Sequence, residues 1–325
     1  MKATAIAPSN IAFTKYWGKK DEVLRLPENG SIAMCLSNLL TTTTVEFSEK
    51  YQSDSVSING EFEEGEETRA SKHLDRVRKL AGVNLYAKVV SNNNFPKGTG
   101  LSSSSSGFAA LTLAAVSALG LKLNEKQLSI LARQGSGSAC RSIPSGFVEW
   151  QDGDTSETSY AKTIFPANHW NIVDVVAIVS QGRKDVSTSE GMKTLGTSPF
   201  VKTRVAGMAE KNKLAKKYLQ EKNFSALGDL AEREALEMHA IMITQNPPLI
   251  YFQPNTILMM RLVQKWRREG LECYFTINTG QDVHILVENK NSNQLVAKLK
   301  QIPEVRNIIV NNPADGAKLI TKHLF

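Results

Sequence analysis

The sequence predicts an α+β fold in two domains, 1-180 and 181-325, and three observations carry that prediction. The chain has 325 residues, about twice the length of a typical domain of roughly 150 residues. Its first third is a series of short runs bearing Thr, Val, Ile and Ser, separated by turn residues. After Trp170 the composition shifts to helix-like segments.

In order, the runs 2–7, 31–36, 40–47 and 55–58 read as strands, with Pro27-Glu28-Asn29-Gly30 and Asn59-Gly60 as turns. A polar helix is predicted over 66–81, stopped by Gly82, then a strand at 86–91 and a polar, glycine-bearing loop at 92–107. Residues 108–119 are dense in Ala and Leu and end at Gly120, which predicts a buried helix opening from that loop. The apolar run 172–178 reads as a buried strand, and 201–221, 225–242 and 256–268 read as helices. In the last, Ile257, Met260, Val263 and Trp266 recur every third residue, and Gly270 marks the end. Strands at 272–277 and 283–287 flank Asn278-Thr279-Gly280-Gln281-Asp282, and a helix, a strand and a helix are expected to finish the chain.

A 41% hydrophobic and 22% charged chain is that of a globular protein rather than a disordered or fibrous one. The net charge of +7 suits anionic partners: phosphorylated metabolites, nucleotides, nucleic acid or an acidic membrane surface. Cys35, Cys140 and Cys273 fit neither a disulfide framework nor a CxxC pair, so a reducing compartment is expected. The N-terminal run lacks the apolar stretch of a signal peptide, and no apolar run is long enough to span a bilayer, so the expectation is a cytoplasmic protein without membrane contact. The five histidines form no HExxH motif or close His/Cys pair. His239, on a predicted helix, reads as a core histidine or a nucleotide-side contact.

Two segments carry chemistry. In Phe95-Pro96-Lys97-Gly98-Thr99-Gly100-Leu101 followed by Ser102–Ser106 and Gly107, small residues let backbone N–H groups approach a polyphosphate. The serines add donors or a magnesium ligand, and the next helix adds its N-terminal dipole. It is neither a Walker A loop nor a dinucleotide fingerprint, and the bland alternative is an exposed Gly/Ser loop. In Gly135-Ser136-Gly137-Ser138-Ala139-Cys140-Arg141-Ser142, hydroxyls alternate with glycines and a guanidinium follows, the pattern for capturing phosphate or carboxylate. The alternative there is a flexible turn with a surface arginine. Two cradles suggest two anionic ligands.

These segments, with Ala7-Pro8-Ser9-Asn10-Ile11-Ala12, Lys15-Tyr16-Trp17-Gly18-Lys19, Asn94-Phe95-Pro96, Gly146-Phe147-Val148-Glu149-Trp150, Ser189-Glu190-Gly191-Met192 and Thr197-Ser198-Pro199, resemble the diphosphomevalonate decarboxylases of the GHMP kinase superfamily, including their phosphomevalonate decarboxylase relatives. The resemblance implies an N-terminal α/β domain with a Gly/Ser phosphate loop, a C-terminal ferredoxin-like domain, a cleft between them and a homodimer. It implies ATP and Mg2+, a 5-phosphorylated mevalonate substrate and an isopentenyl product. Position by position it implies Lys15, Arg141 and Asn278 at the reacting centre, and Tyr16, Lys19, Ser136, Ser138 and Arg141 on the substrate. It places Ser91, Asn94, Gly100, Ser103 and Ser104 on the nucleotide, with Ser104 also as metal ligand. Trp17 reads as either a site or a core aromatic.

One position departs from the pattern. The family's Asp-Ala-Gly-Pro-Asn is here Asn278-Thr279-Gly280-Gln281-Asp282, and an amide cannot accept a proton or carry the carboxylate's charge. Three accounts follow: an engineered Asp→Asn change, recruitment of another carboxylate such as Asp282, or a mevalonate 3-kinase-like phosphotransferase that does not decarboxylate. Lys97 and the run 249–254 also depart, which leaves the 5-monophosphate and the 5-diphosphate both open as substrates. A nucleic-acid-binding class rests on Arg204, Lys211, Lys213, Lys216, Lys217 and Lys222, whose helical spacing reads better as a solvated face. A scaffold with a dead site is disfavoured by the two intact cradles.

Overall fold

A computed structural model describes residues 1–63, 68–95, 100–180, 182 and 184–325. The strands are β1 (Lys2–Ala12), β2 (Lys19–Asp21), β3 (Leu26–Pro27), β4 (Ser31–Phe47), β5 (Ser55–Ile58), β6 (Glu61–Phe62), β7 (Ala87–Asn93), β8 (Phe147–Trp150), β9 (Ala161–Phe165), β10 (Ile172–Ile178), β11 (Cys273–Thr276), β12 (Val283–Glu288), β13 (Asn307–Asn311) and β14 (Lys318–Ile320). The helices are α1 (Arg69–Ala81), α2 (Ser103–Ala118), α3 (Glu125–Gly135), α4 (Thr188–Gly191), α5 (Val201–Glu221), α6 (Phe224–Thr244), α7 (Pro254–Arg268) and α8 (Asn289–Leu299).

The first sheet runs β14-β1-β4-β7-β5-β6, with β8 on β4 and β9 on β8. Strand β4 pairs with β1 and with two further strands: Ser31–Met34 with β8, and Thr41–Phe47 with β7. The register of β1 on β4 shifts between Pro8 and Asn10, where Ser9 alone faces residues 36–39, so β4 bulges opposite the point at which Asn10 enters the site. Helices α1 and α2 cover this sheet through Leu74, Val77, Leu111, Ala114 and Ala115. The second sheet runs β11-β12-β10-β13, all antiparallel. One face packs on α7 and α8 through Met259, Val263, Trp266, Leu295 and Leu299. The other joins Leu219, Leu227 and Ala231 of α5 and α6 to Ile11, Ile32 and Met34 of the first sheet. Each Leu, Ile or Met among them contributes about 1.5–3 kcal/mol on burial, so a shared core fixes the two sheets to one another.

Several expectations need correction. The runs 31–36 and 40–47 are one strand, because the polar step Ser37-Asn38 bends β4 without ending it. Helix α2 begins at Ser103, not at 108. The serine run is its first turn, where backbone N–H groups lack helical acceptors and serine is well tolerated. Helix α3 is not among the expected elements, although Asn124 and Gln127 form a reciprocal capping box at its start. The second cradle is a 3-10 turn, Gly137–Ser142, rather than an irregular loop. Strands β8 and β9 were also missed, and the chain ends on a strand, β14, which returns to pair with β1. The expected boundary at 180 falls just after β10, which pairs in the second sheet. The predicted helix start at Glu66, and Lys97 with its neighbours at 96–99, lie outside the described residues.

Candidate active site

The segment after β1 places Lys15, which is 1% exposed and aimed into the space between the sheets. Its backbone is held on both sides by the second lobe: its N–H donates to Glu234 Oε2 at 2.9 Å and its carbonyl accepts from Arg204 Nη2 at 2.9 Å. Arg204 and Lys211 of α5 close on Glu234 of α6 at 2.8 and 2.7 Å. Burial disfavours the Glu234 charge, but these two cations hold its carboxyl below the usual range. Arg204, expected on a solvated face, is therefore buried, while Lys216 pairs with Glu149 at 2.6 Å. Burial, and next the nearby Arg141, push the Lys15 ammonium down to about 7, with Glu234 and Asp174 pulling the other way.

Arg141 leaves the 3-10 turn into the same space. Its Nε donates to Asn10 Oδ1 at 3.1 Å and its Nη1 to Ser31 Oγ, while Asn10 Nδ2 donates to Ser142 Oγ at 2.9 Å. The guanidinium is thus oriented by strands β1 and β4. Tyr16 packs on Trp150 with ring centroids 4.6 Å apart, and burial raises its phenol well above the usual value. Gly137 is required beside it, since a Cβ there would lie 2.7 Å from the Tyr16 hydroxyl.

Asn278 follows β11. Its Oδ1 accepts from Lys15 Nζ at 3.2 Å and its Nδ2 donates to Ser102 Oγ at 3.1 Å. His239 donates from Nε2 to the Asn278 carbonyl at 2.9 Å, which fixes its tautomer because a carbonyl only accepts. Stacked on Phe252 and pushed down to about 3 by burial, His239 is a neutral support for the turn rather than a nucleotide contact. Asp282 does not replace the missing carboxylate: its Oδ1 accepts the Val179 N–H at 3.0 Å, and it lies outside the cavity lining. Gly100, at φ 102, allows the first cradle to abut this turn, because a Cβ would lie 2.6 Å from Gly280 Cα.

A cavity of about 330 Å³ brings together Lys15, Tyr16, Gly100, Ser103, Ser104, Ser136, Ser138, Arg141 and Asn278. A smaller one of about 160 Å³, walled by Val56, Ile58, Val89 and Leu111, takes Ser91 and shares Ser103, Ser104 and Arg69 with the first. The two cradles touch through Ser136 and Ser104 at 3.4 Å and through Ser138 and Ser105. Lys19 and Asn94 are not brought in. Lys19 contacts Glu22, and Asn94 accepts from Leu40 N–H at 2.8 Å and donates to the Asn38 carbonyl at 3.1 Å. Trp17 is core, packed with Met192 and Met238.

Sequence reasoning missed Arg25, Arg69 and Lys184 in the large cavity. Lys184 Nζ donates to Thr188 Oγ1 at 2.7 Å and the Thr279 carbonyl at 2.9 Å, and burial lowers it to about 8. The only signal was its place just before Ser187-Thr188-Ser189. Among the described residues no group of three or more His, Cys, Asp or Glu side chains could hold a metal.

These features define a two-lobed α+β protein with two anion cradles opening into one cleft. The Diphosphomevalonate decarboxylase-like N-terminal domain matches residues 7–161, and the Mevalonate 5-diphosphate decarboxylase C-terminal domain matches residues 174–318. The Candida albicans diphosphomevalonate decarboxylase is 33% identical over 315 residues, covering 91% of this chain and 87% of the relative. The mevalonate diphosphate decarboxylase structure from Staphylococcus aureus is 40% identical, with a TM-score of 0.92 over 98% of each chain. A structure described as MDDEF in complex with MVAPP, AMPPCP and magnesium is 37% identical, with a TM-score of 0.93 over 99% of each chain. The chain belongs to the diphosphomevalonate decarboxylase family.

Proposed function

We propose that this protein carries out the ATP-dependent decarboxylation of a 5-phosphorylated mevalonate, with the 5-diphosphate as its preferred substrate. A tertiary hydroxide is a poor leaving group, and a carboxylate loses CO2 only when its electron pair has a destination. Phosphorylating the 3-hydroxyl supplies both: ATP and substrate give ADP, phosphate, CO2 and the isopentenyl ester. The carrying observation is that Lys15, Arg141 and Asn278 meet in the cavity that both cradles line.

The residues fit these ligands. Ser103 and Ser104 stand where the apolar cavity meets the larger one, at the N-terminus of α2, so a base held in the first leaves its phosphates over backbone N–H groups. Magnesium, which prefers phosphate oxygens plus one or two protein oxygens, would be held by the Ser104 hydroxyl, and it neutralises phosphate charge when bound. Ser136, Ser138, Tyr16 and Arg141 bind the substrate's anionic groups. Lys15 keeps a cation beside the reacting oxygen. Asn278 orients Lys15 and Ser102 but accepts no proton.

That amide favours a second reading, phosphorylation without decarboxylation. Following ADP and CO2 together separates the two: equal release supports the decarboxylase, and ADP without CO2 supports the kinase. Three buried free cysteines are in keeping with a reducing, cytoplasmic location. The reading carries a homodimer, testable by light scattering. The cations Lys211 and Lys216 being paired with carboxylates supports a small-molecule ligand over nucleic acid.

A further inference from the structure

The centre of the cleft pairs Lys15, which follows a strand of the first sheet, with Asn278, which follows a strand of the second, and helix α6 touches both. Strand β1 ends at Ala12. Beyond it the Phe13 and Thr14 N–H groups still donate to the Ile32 carbonyl, at 2.8 and 3.3 Å, but the Lys15 N–H turns to Glu234 Oε2 at 2.9 Å. Arg204 Nη2 donates to that same carboxylate oxygen at 2.8 Å and to the Lys15 carbonyl at 2.9 Å. Asn29 Nδ2 donates to this carbonyl at 2.9 Å as well. Both polar groups of the Lys15 backbone are therefore held by side chains, in a closed ring of bonds through Glu234 and Arg204. From the same helix as Glu234, His239 Nε2 donates to the Asn278 carbonyl, and Asn278 Oδ1 receives the Lys15 ammonium at 3.2 Å.

Holding the lobes together does not account for this arrangement. Glu234 is 0% exposed, and a buried carboxylate is costly to desolvate even beside two cations. The contacts of Ile11 and Ile32 with Leu219 and Leu227 already join the sheets, and apolar packing does that work at less cost than a buried ion pair. What an apolar residue at 234 cannot do is accept the Lys15 N–H. A lysine side chain is a flexible four-carbon stem, so the place of its ammonium depends on where its backbone is anchored. Where the chain has left the sheet ladder, a side-chain acceptor is that anchor.

We propose that Glu234 is a positioning residue: by accepting the Lys15 N–H it sets the ammonium against Asn278, so that α6 fixes both halves of the reacting centre. The effect on turnover rests on the proposed function; the placement of Lys15 does not. A displacement of about 1 Å at a reacting group costs about 100-fold in rate.

Three variants of the full chain separate the acceptor from the charge. Glu234→Gln keeps an oxygen for the Lys15 N–H and loses the charge. Glu234→Asp keeps the charge and is one methylene too short, and Glu234→Met keeps the length and loses both. With ATP, magnesium and 5-diphosphomevalonate, kcat is expected to stay within about 10-fold of the parent in Glu234→Gln and to fall about 100-fold in the other two. KM for both substrates is expected to move by under about 3-fold throughout, the mark of a group that acts on the reacting centre and not on binding. Crystal structures read the placement without turnover: the 3.2 Å between Lys15 Nζ and Asn278 Oδ1 should persist in Glu234→Gln and lengthen by about 1 Å in Glu234→Asp and Glu234→Met. Asn212→Ala breaks the neighbouring bond from Thr14 Oγ1 to α5 and is expected to lower the melt but not kcat. Should Glu234→Met not fold, Glu234→Asp, which retains a carboxylate for Arg204 and Lys211, carries the comparison. Turnover that follows the charge, with Glu234→Asp active and Glu234→Gln not, overturns the proposal. So does an unchanged Lys15 to Asn278 separation in Glu234→Asp and Glu234→Met, a loss confined to KM, or an equal fall in kcat in Asn212→Ala. A parent that releases neither ADP nor CO2 would overturn the functional reading instead, and the separations would still decide the role of Glu234.

Discussion

The two cradles look alike in sequence, both short runs of Gly and Ser, yet they sit at opposite ends of helices. Ser102–Ser104 open α2, where free N–H groups and the dipole already favour an anion. Ser136–Ser138 follow α3, whose last carbonyls at Gln134 and Gly135 accept from Arg25 and Arg69, and lead into the 3-10 turn. The second cradle therefore imports cations: Arg25 and Arg69 on the last α3 carbonyls, and Arg141 from its own turn. The first cradle thus offers backbone donors at a helix start, and the second adds side-chain cations. On the proposed function, the division matches a nucleotide at the first cradle against a small substrate bearing a carboxylate and phosphates at the second.

Substitutions sharpen this contrast. The largest effect is expected at the cationic cradle: Arg141→Ala removes a buried guanidinium already oriented by Asn10 and Ser31, and kcat/KM for the mevalonate ester should fall about 10³-fold with ATP binding retained. A parallel loss of ATP binding would break the division. At the backbone cradle, Gly100→Ala must displace the Gly280 turn and adopt φ 102, which costs about 1–3 kcal/mol; a thermal melt and the KM for ATP should both register it. An unchanged melt would mean that the two loops move apart freely.

A smaller and graded effect is expected from pH. Lys15 loses its proton as pH rises through about 7, so kcat/KM, which reports the free enzyme, should decline on the alkaline side around that value. Bound phosphates favour the ammonium, so the limb in kcat should lie higher. The stability sign is opposite: from pH 7 to 10.5 the unfolded chain binds a proton that folded Lys15 lacks, so this residue adds stability as pH rises through that window. Groups bearing on Lys15 are Arg141, Glu234, Asp174 and Arg204, and a profile without an alkaline limb in kcat/KM would contradict the assignment.

The fold class and most of the site were legible because they rest on local signals. The Thr-, Val- and Ile-bearing strands with their turns, the Ala/Leu run of α2 and the small residues of both cradles are readable from neighbours in the chain. Arg25 and Arg69 were not, since their meaning depends on α3, itself unread because its capping box was passed over. The Glu234–Arg204 clamp on Lys15 joins residues about two hundred positions apart, and no local pattern announces such a pair. Lys19 and Asn94 show the converse: their neighbours in sequence line the cavity, while their own side chains are held by Glu22 and by the β4 backbone.

The central claim is that the cleft phosphorylates and decarboxylates through Lys15, Arg141 and the Asn278 position. The most direct measurement is ADP and CO2 release, followed together with ATP, magnesium and 5-diphosphomevalonate, in this protein and in Asn278→Asp. A carboxylate 3.2 Å from Lys15 should raise the rate about 10²–10⁴-fold, with CO2 equal to ADP in both proteins. ADP without CO2 in both would contradict the claim and make the chain a 3-hydroxyl kinase.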